Sequence, residues 1–127
     1  MISIDSLGDE LYTALRTQQV VEPLSNRYPD ITIEQAYAIQ QRMLLRRQQD
    51  GERIVGKKIG VTSKVVMDML KVNQPDFGHL LSGMVYNEGQ PISVGTMIAP
   101  KAEAEVAFIL ARDLEGPGVT AADVLRA

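Results

Sequence analysis

Apolar residues at Ile4, Leu7, Leu11, Ala14 and Leu15 recur at three- and four-residue spacing and predict an amphipathic helix, with Gly8 inside it as a weak point. Val20-Val21-Glu22-Pro23-Leu24-Ser25 then reads as a loop and Tyr28-Pro29-Asp30 as a turn. A second helix should start at Thr32, which has Gln35 three residues on in capping-box spacing. Ala36, Ile39, Met43 and Leu44 form its apolar stripe, Arg42, Arg46, Arg47 and Gln48 its wet face, and Gly51 its stop.

The pattern changes after Gly51. Arg53 to Gly60 reads as a short strand between glycines, and a third helix capped by Thr62 or Ser63 should turn Val65, Val66, Met69 and Leu70 inward. Asn73 to Gly78 reads as a loop, because Pro75 biases Gln74 away from helix and Gly78 frees the backbone. Strands are expected at Leu80 to Tyr86 and around Ile92 to Val94, joined by the Asn87-Glu88-Gly89 turn. The strongest strand signal is Ala102 to Leu110, apolar on both faces in its second half, as in a buried strand. Thr120 and Asp123 repeat the capping-box spacing before a short apolar run that stops at Ala127, too short for a helix stable by itself. The expectation is a single, incomplete α/β domain, part of a longer protein, with a helical part over about 1–52 and a strand-rich part over about 53–127.

Composition narrows the function classes. The chain has 127 residues, which fits one domain, and a net charge of -3, which argues against nucleic-acid binding. The arginines from Arg42 to Arg53 could be read as a nucleic-acid patch, but no aromatics interleave and a solvated helix face explains them. With no cysteine, disulfide scaffolds, thiolate metal sites and cysteine nucleophiles are excluded. A lone histidine, His79, excludes a His-rich zinc site and reads as a structural or surface residue. The first residues lack the basic start and apolar stretch of a signal peptide, and no apolar run approaches the roughly 18–20 residues of a membrane helix. A cytoplasmic protein without membrane partners is expected.

Three places could carry chemistry. Glu103 and Glu105 would share one face of their strand, where two carboxylates repel each other unless a cation lies between them or the strand end opens to water. An oxygen-rich site of that kind suits Mg²⁺ or Mn²⁺. Lys57 and Lys58 must point to opposite faces, so that one can enter a site as proton donor or charge stabiliser, unless both are simply solvated. Asp76, in a Pro-Asp-Phe-Gly loop, is either turn chemistry or an acid–base group over a pocket.

Gly56-Lys57-Lys58-Ile59-Gly60-Val61-Thr62-Ser63, Gln74-Pro75-Asp76-Phe77-Gly78 and Ala102-Glu103-Ala104-Glu105-Val106-Ala107-Phe108 closely resemble the 2-hydroxypenta-2,4-dienoate (2-oxopent-4-enoate) hydratases. These enzymes belong to the fumarylacetoacetate hydrolase-like superfamily and act in the meta-cleavage pathway of aromatic degradation. The resemblance runs from Leu7 to the turn ending at Thr120. It implies N-terminal helices packed on part of the superfamily's mixed β core, a divalent metal on Glu103 and Glu105, Lys58 rather than Lys57 in the active site, and Asp76 as an acid–base group. It also implies a small-molecule dienoate substrate, a homo-oligomer and the pathway decarboxylase as a candidate partner. Family members are about twice as long, and a third acidic metal ligand lies in the half not represented here. The related 4-oxalocrotonate decarboxylases look similar over the same stretch but tend to lack the aspartate at Asp76, which favours the hydratase. A non-catalytic interaction module, binding through the surface that the other half would cover, is the alternative outside enzymology.

Overall fold

The computed structural model describes residues 2–127. Helix α1 spans Ile4–Thr17, with Ser3 accepting a hydrogen bond from the Ser6 N–H at its start. A single turn, α2 (Leu24–Arg27), lies within the stretch read as loop. Its Arg27 forms a paired hydrogen bond to Glu10, at 2.5 and 3.0 Å, which ties the connection back onto α1. Helix α3 spans Ile33–Gln49 and has the expected reciprocal capping box between Thr32 and Gln35. Gly51 follows at φ 93°, the left-handed conformation that ends helices.

Helices α1 and α3 run side by side in the same direction: Asp9 meets Arg42, Tyr12 and Arg16 meet Asp50, and Arg16 also meets Glu52. The core between and beside them is small. Leu7, Ala14, Ile39 and Leu44 are buried there, and Leu81 joins them from the strand region. Gly8 has a packing role in this seam. A Cβ at that position would overlap Cβ and Cγ of Arg42 and lie 3.0 Å from the Ile39 carbonyl, so the helices approach closely because glycine is there.

The arginines expected on a wet face belong instead to this interface. Arg42 makes two 2.8 Å hydrogen bonds to Asp9. Arg47 is 7% exposed and grips Glu52 at 2.9 and 2.6 Å. A single-helix pattern assigns them to a wet face because it does not contain their acidic partners, which come from α1 and from the residues after α3.

Beyond α3 the chain forms one antiparallel hairpin, of β1 (Ile54–Gly60) and β2 (Asp76–Leu81). Between them lies α4 (Lys64–Leu70), capped by Ser63. Its apolar residues do not turn inward as expected: Val65, Met69 and Leu70 are exposed, and Val66 is half-buried. Strand β2 starts at Asp76, inside the predicted loop, and ends at Leu81, where the predicted strand had only begun. The reason is tertiary. β1 supplies one edge, and on the other the Phe77 N–H donates to the Tyr37 hydroxyl while its carbonyl accepts from Gln40 of α3. Pro75 sits just before the strand, where its missing N–H is harmless.

Two predicted strands are absent. Ser82–Met84 and Val94–Thr96 are short 3-10 turns, and 92–94 does not form a strand. Ala102 to Leu110, the strongest strand signal, has no regular structure and is exposed throughout, with Ile109 at 100% and Val106 at 83%. A strand needs a partner edge for its backbone groups, and none of the described residues provides one. The chain closes with α5 (Ala121–Arg126), which has the capping box expected of Thr120 and Asp123. The architecture is α/β, with helices laid against a β-hairpin. No helix among the described residues is long and apolar enough to cross a membrane.

Candidate functional site

Directly opposed residues of an antiparallel pair share a face of the sheet. The register opposes Lys58 to Gly78 and Gly60 to Asp76, so Lys58 and Asp76 lie on one face. Lys57, opposed to His79, and Ile59, opposed to Phe77, lie on the other. The alternation read from the sequence thus holds, and it separates the two lysines.

The glycines of that face decide where its side chains lie. A Cβ on Gly78 would be 3.2 Å from Lys58 Cγ and 3.6 Å from its Cδ, so the lysine stem crosses the neighbouring strand over bare backbone. A Cβ on Gly60 would overlap Asp76 Oδ1 and lie 3.1 Å from Asp76 Cγ and 3.3 Å from Lys58 Nζ. The ammonium and the carboxylate therefore converge above Gly60. Neither takes part in an ion pair among the described residues, and both are exposed. An uncommitted cation and an uncommitted carboxylate side by side can stabilise a developing anion and accept a proton.

A hydrogen bond from the Phe77 N–H to Tyr37 and one from Gln40 to the Phe77 carbonyl hold Phe77, and with it the strand that carries Asp76, against α3. On the opposite face His79 is half-buried and its Nδ1 is buried without a partner among the described residues. Sequence reasoning passed over Gly60 and Gly78 as components of the site. For Gly78, inside β2, the signal was present: glycine weakens a strand interior unless something must come close to the backbone.

Glu103 and Glu105 lie in the irregular exposed segment, and the structure does not join them to the hairpin pair by any hydrogen bond or ion pair. No group of three histidine, aspartate or glutamate side chains placed to hold a metal occurs among the described residues. The donor chemistry nevertheless fits a hard cation: two carboxylates, free of competing partners, that would supply part of an oxygen coordination shell completed by water and further ligands. A separate open groove of about 280 Å³, lined by Leu11, Leu15, Val21, Met43 and Ile98 among others, contains none of these residues.

The strongest ionic node adjoins the hairpin. Glu52, just before β1, accepts from Arg47 and from Arg16, while Asp50 accepts from Tyr12 and Arg16. The Arg47 hydrogen bond, with Arg16 adding, holds the Glu52 carboxyl below the usual glutamate range. A Cβ on Gly83 would come within 2.9 Å of Glu52 Oε2, so the turn after β2 also rests on this node. It fixes the hairpin to the helices.

The chain is 57% identical over 125 residues to the 2-hydroxypent-2,4-dienoate hydratase of Pseudomonas putida, a match covering 98% of this chain and 56% of that protein. It is 51% identical over 126 residues to the 2-hydroxyhexa-2,4-dienoate hydratase of Comamonas testosteroni, covering 98% of this chain and 48% of that protein. Among solved structures it is similar to 4-oxalocrotonate decarboxylase from Pseudomonas putida G7. The form complexed with calcium and acetate gives a TM-score of 0.73 at 24% identity, over 77% of this chain and 39% of that one. The form complexed with magnesium and adipate gives 0.61 at 26% identity, over 65% and 33%. No family model matches the chain. The chain spans about half the length of the relatives it matches, and the three motif segments fall inside the matched region. The similarity read from those motifs is therefore one of sequence along the chain and of fold.

Proposed function

We propose that this chain, a relative of the 2-hydroxydienoate hydratases, provides the acid–base pair and two metal ligands of a hydro-lyase that adds water to 2-hydroxypenta-2,4-dienoate. The product would be 4-hydroxy-2-oxopentanoate, formed in meta-cleavage degradation of aromatic compounds. The observation that carries the reading is the convergence of Lys58 Nζ and Asp76 Oδ1 above Gly60. Two uncommitted groups of opposite charge on one face of the hairpin support the roles that the resemblance implies for them.

Glu103 and Glu105 would hold a divalent cation, Mg²⁺ or Mn²⁺, consistent with solved relatives complexed with magnesium and calcium. When bound, that cation supplies a Lewis acid and template for the substrate's carboxylate and 2-oxygen. The remaining work falls to the hairpin. Lys58 stabilises negative charge on the enolate as the 2-hydroxyl gives up its proton, and passes a proton to C5, so that a 2-oxo acid unsaturated between C3 and C4 results. Asp76 orients the water and takes its proton as the oxygen adds at C4, and C3 takes that proton as the 2-oxo group re-forms. A homo-oligomer in the cytoplasm is the expected setting.

The test is turnover by protein of native length from its source cells. Glu103→Gln combined with Glu105→Gln should abolish metal-dependent hydration, whereas retained activity would remove both residues from the metal site.

A further inference from the structure

We propose that Gly60 is a positioning residue, whose missing side chain creates the space that the Asp76 carboxylate occupies on the Lys58 side of the hairpin. The proposal rests on the reading of Lys58 and Asp76 as the acid–base pair.

The argument is steric. Gly60 is not among the glycines with positive φ, so backbone conformation does not demand glycine there. Gly60 is the last residue of β1, opposite Asp76, and what sets it apart is the space that its missing side chain leaves. A Cβ at this position would overlap Asp76 Oδ1 and sit 3.3 Å from Lys58 Nζ. The atom in the way is the far end of an exposed side chain, which can rotate aside at little cost to the fold. Alanine at position 60 should therefore leave the hairpin intact and turn the carboxylate away. Gly56 is the matched comparison. It lies on the same strand and face, but a Cβ there would meet only the flexible Leu80 side chain, at 3.3 Å from Cδ1.

The experiment compares wild type, Gly60→Ala and Gly56→Ala. Three-bond couplings between the Asp76 backbone nitrogen or carbonyl carbon and its Cγ report the side-chain rotamer directly, in the same native-length protein. Cross-strand proton contacts and the thermal midpoint report whether the hairpin is kept. Hydration kinetics are measured at native length. In Gly60→Ala the Asp76 rotamer should change, with kcat lower by about 10- to 100-fold, as expected for a misplaced group, and KM within about threefold. Gly56→Ala should change neither. In an Asp76→Ala background the carboxylate is no longer there to displace and only the mobile end of Lys58, 3.3 Å from the added Cβ, remains, so adding Gly60→Ala should lower kcat by less than about twofold.

An unchanged Asp76 rotamer in Gly60→Ala overturns the proposal, whatever happens to turnover. A full further loss in the Asp76→Ala background also overturns it, because Gly60 would then act on something other than Asp76. A changed rotamer with undiminished hydration leaves Gly60 in control of Asp76 but overturns the role of Asp76 in the reaction.

Discussion

Replacing Glu52 with glutamine removes the carboxylate that neutralises Arg47. The Arg47 side chain is 8% exposed and that of Glu52 13%, so water can replace little of what is lost. Two hydrogen bonds, at 2.9 and 2.6 Å, join the guanidinium to Glu52, and a third at 2.8 Å comes from Arg16. Breaking one side of a buried pair costs about 3–5 kcal/mol, because the remaining charge is left uncompensated. Glutamine keeps the shape and one acceptor, so the expected loss is about 2–3 kcal/mol, or a fall in Tm of roughly 8–12 °C for a chain of this size. Urea unfolding followed by circular dichroism measures the first quantity and a thermal scan the second. The pH dependence gives an independent check. The folded-state Glu52 carboxyl titrates below its unfolded value, so its stabilisation is complete above about pH 4.3 and disappears as pH falls through the folded-state value. Glu52→Gln should therefore be markedly less stable at pH 7 and flatten the loss of stability on acidification. A change under about 0.5 kcal/mol at pH 7, with the acid limb unaltered, would refute the assignment of this node as the link between helices and hairpin.

Gly8→Ala should destabilise by about 1–2 kcal/mol despite alanine's better helix propensity, since its Cβ would overlap Arg42; denaturant unfolding reads this directly. Asp76→Asn and Lys58→Met should each lower hydration by about 100-fold or more, while stability moves by less than about 0.5 kcal/mol, as both side chains are exposed. Glu103→Gln with Glu105→Gln should weaken Mn²⁺ binding at least tenfold by calorimetry in protein of native length, in keeping with losing two of its oxygen ligands. Phe108 and Ile109 are 62% and 100% exposed, so the isolated chain should bind a hydrophobic dye and self-associate on size-exclusion chromatography. Ile109→Lys should reduce both effects.

The parts of the fold that could be read from sequence are those whose determinants are local. Thr32 with Gln35 and Thr120 with Asp123 announce helix starts that the structure closes as reciprocal caps. Lys57 and Lys58 fall on opposite faces because strand geometry alone requires it. The misread parts depend on partners distant in the chain. Asp76 to Gly78 carries turn-like residues, yet becomes strand because β1, Tyr37 and Gln40 satisfy its backbone. Ala102 to Leu110 has strand-like residues and remains irregular for want of an edge to pair with. The same contrast divides the candidate site. Lys58 and Asp76 are brought together by one hairpin register, whereas Glu103 and Glu105 sit in the segment that lacks a partner.

The most direct test of the central claim is the product formed from 2-hydroxypenta-2,4-dienoate by protein of native length, with Mg²⁺ or Mn²⁺ and with neither, in wild type and Asp76→Asn. Metal-dependent formation of 4-hydroxy-2-oxopentanoate, lost in Asp76→Asn, is the predicted result. No hydration by the wild type, or equal hydration by Asp76→Asn, would contradict the account.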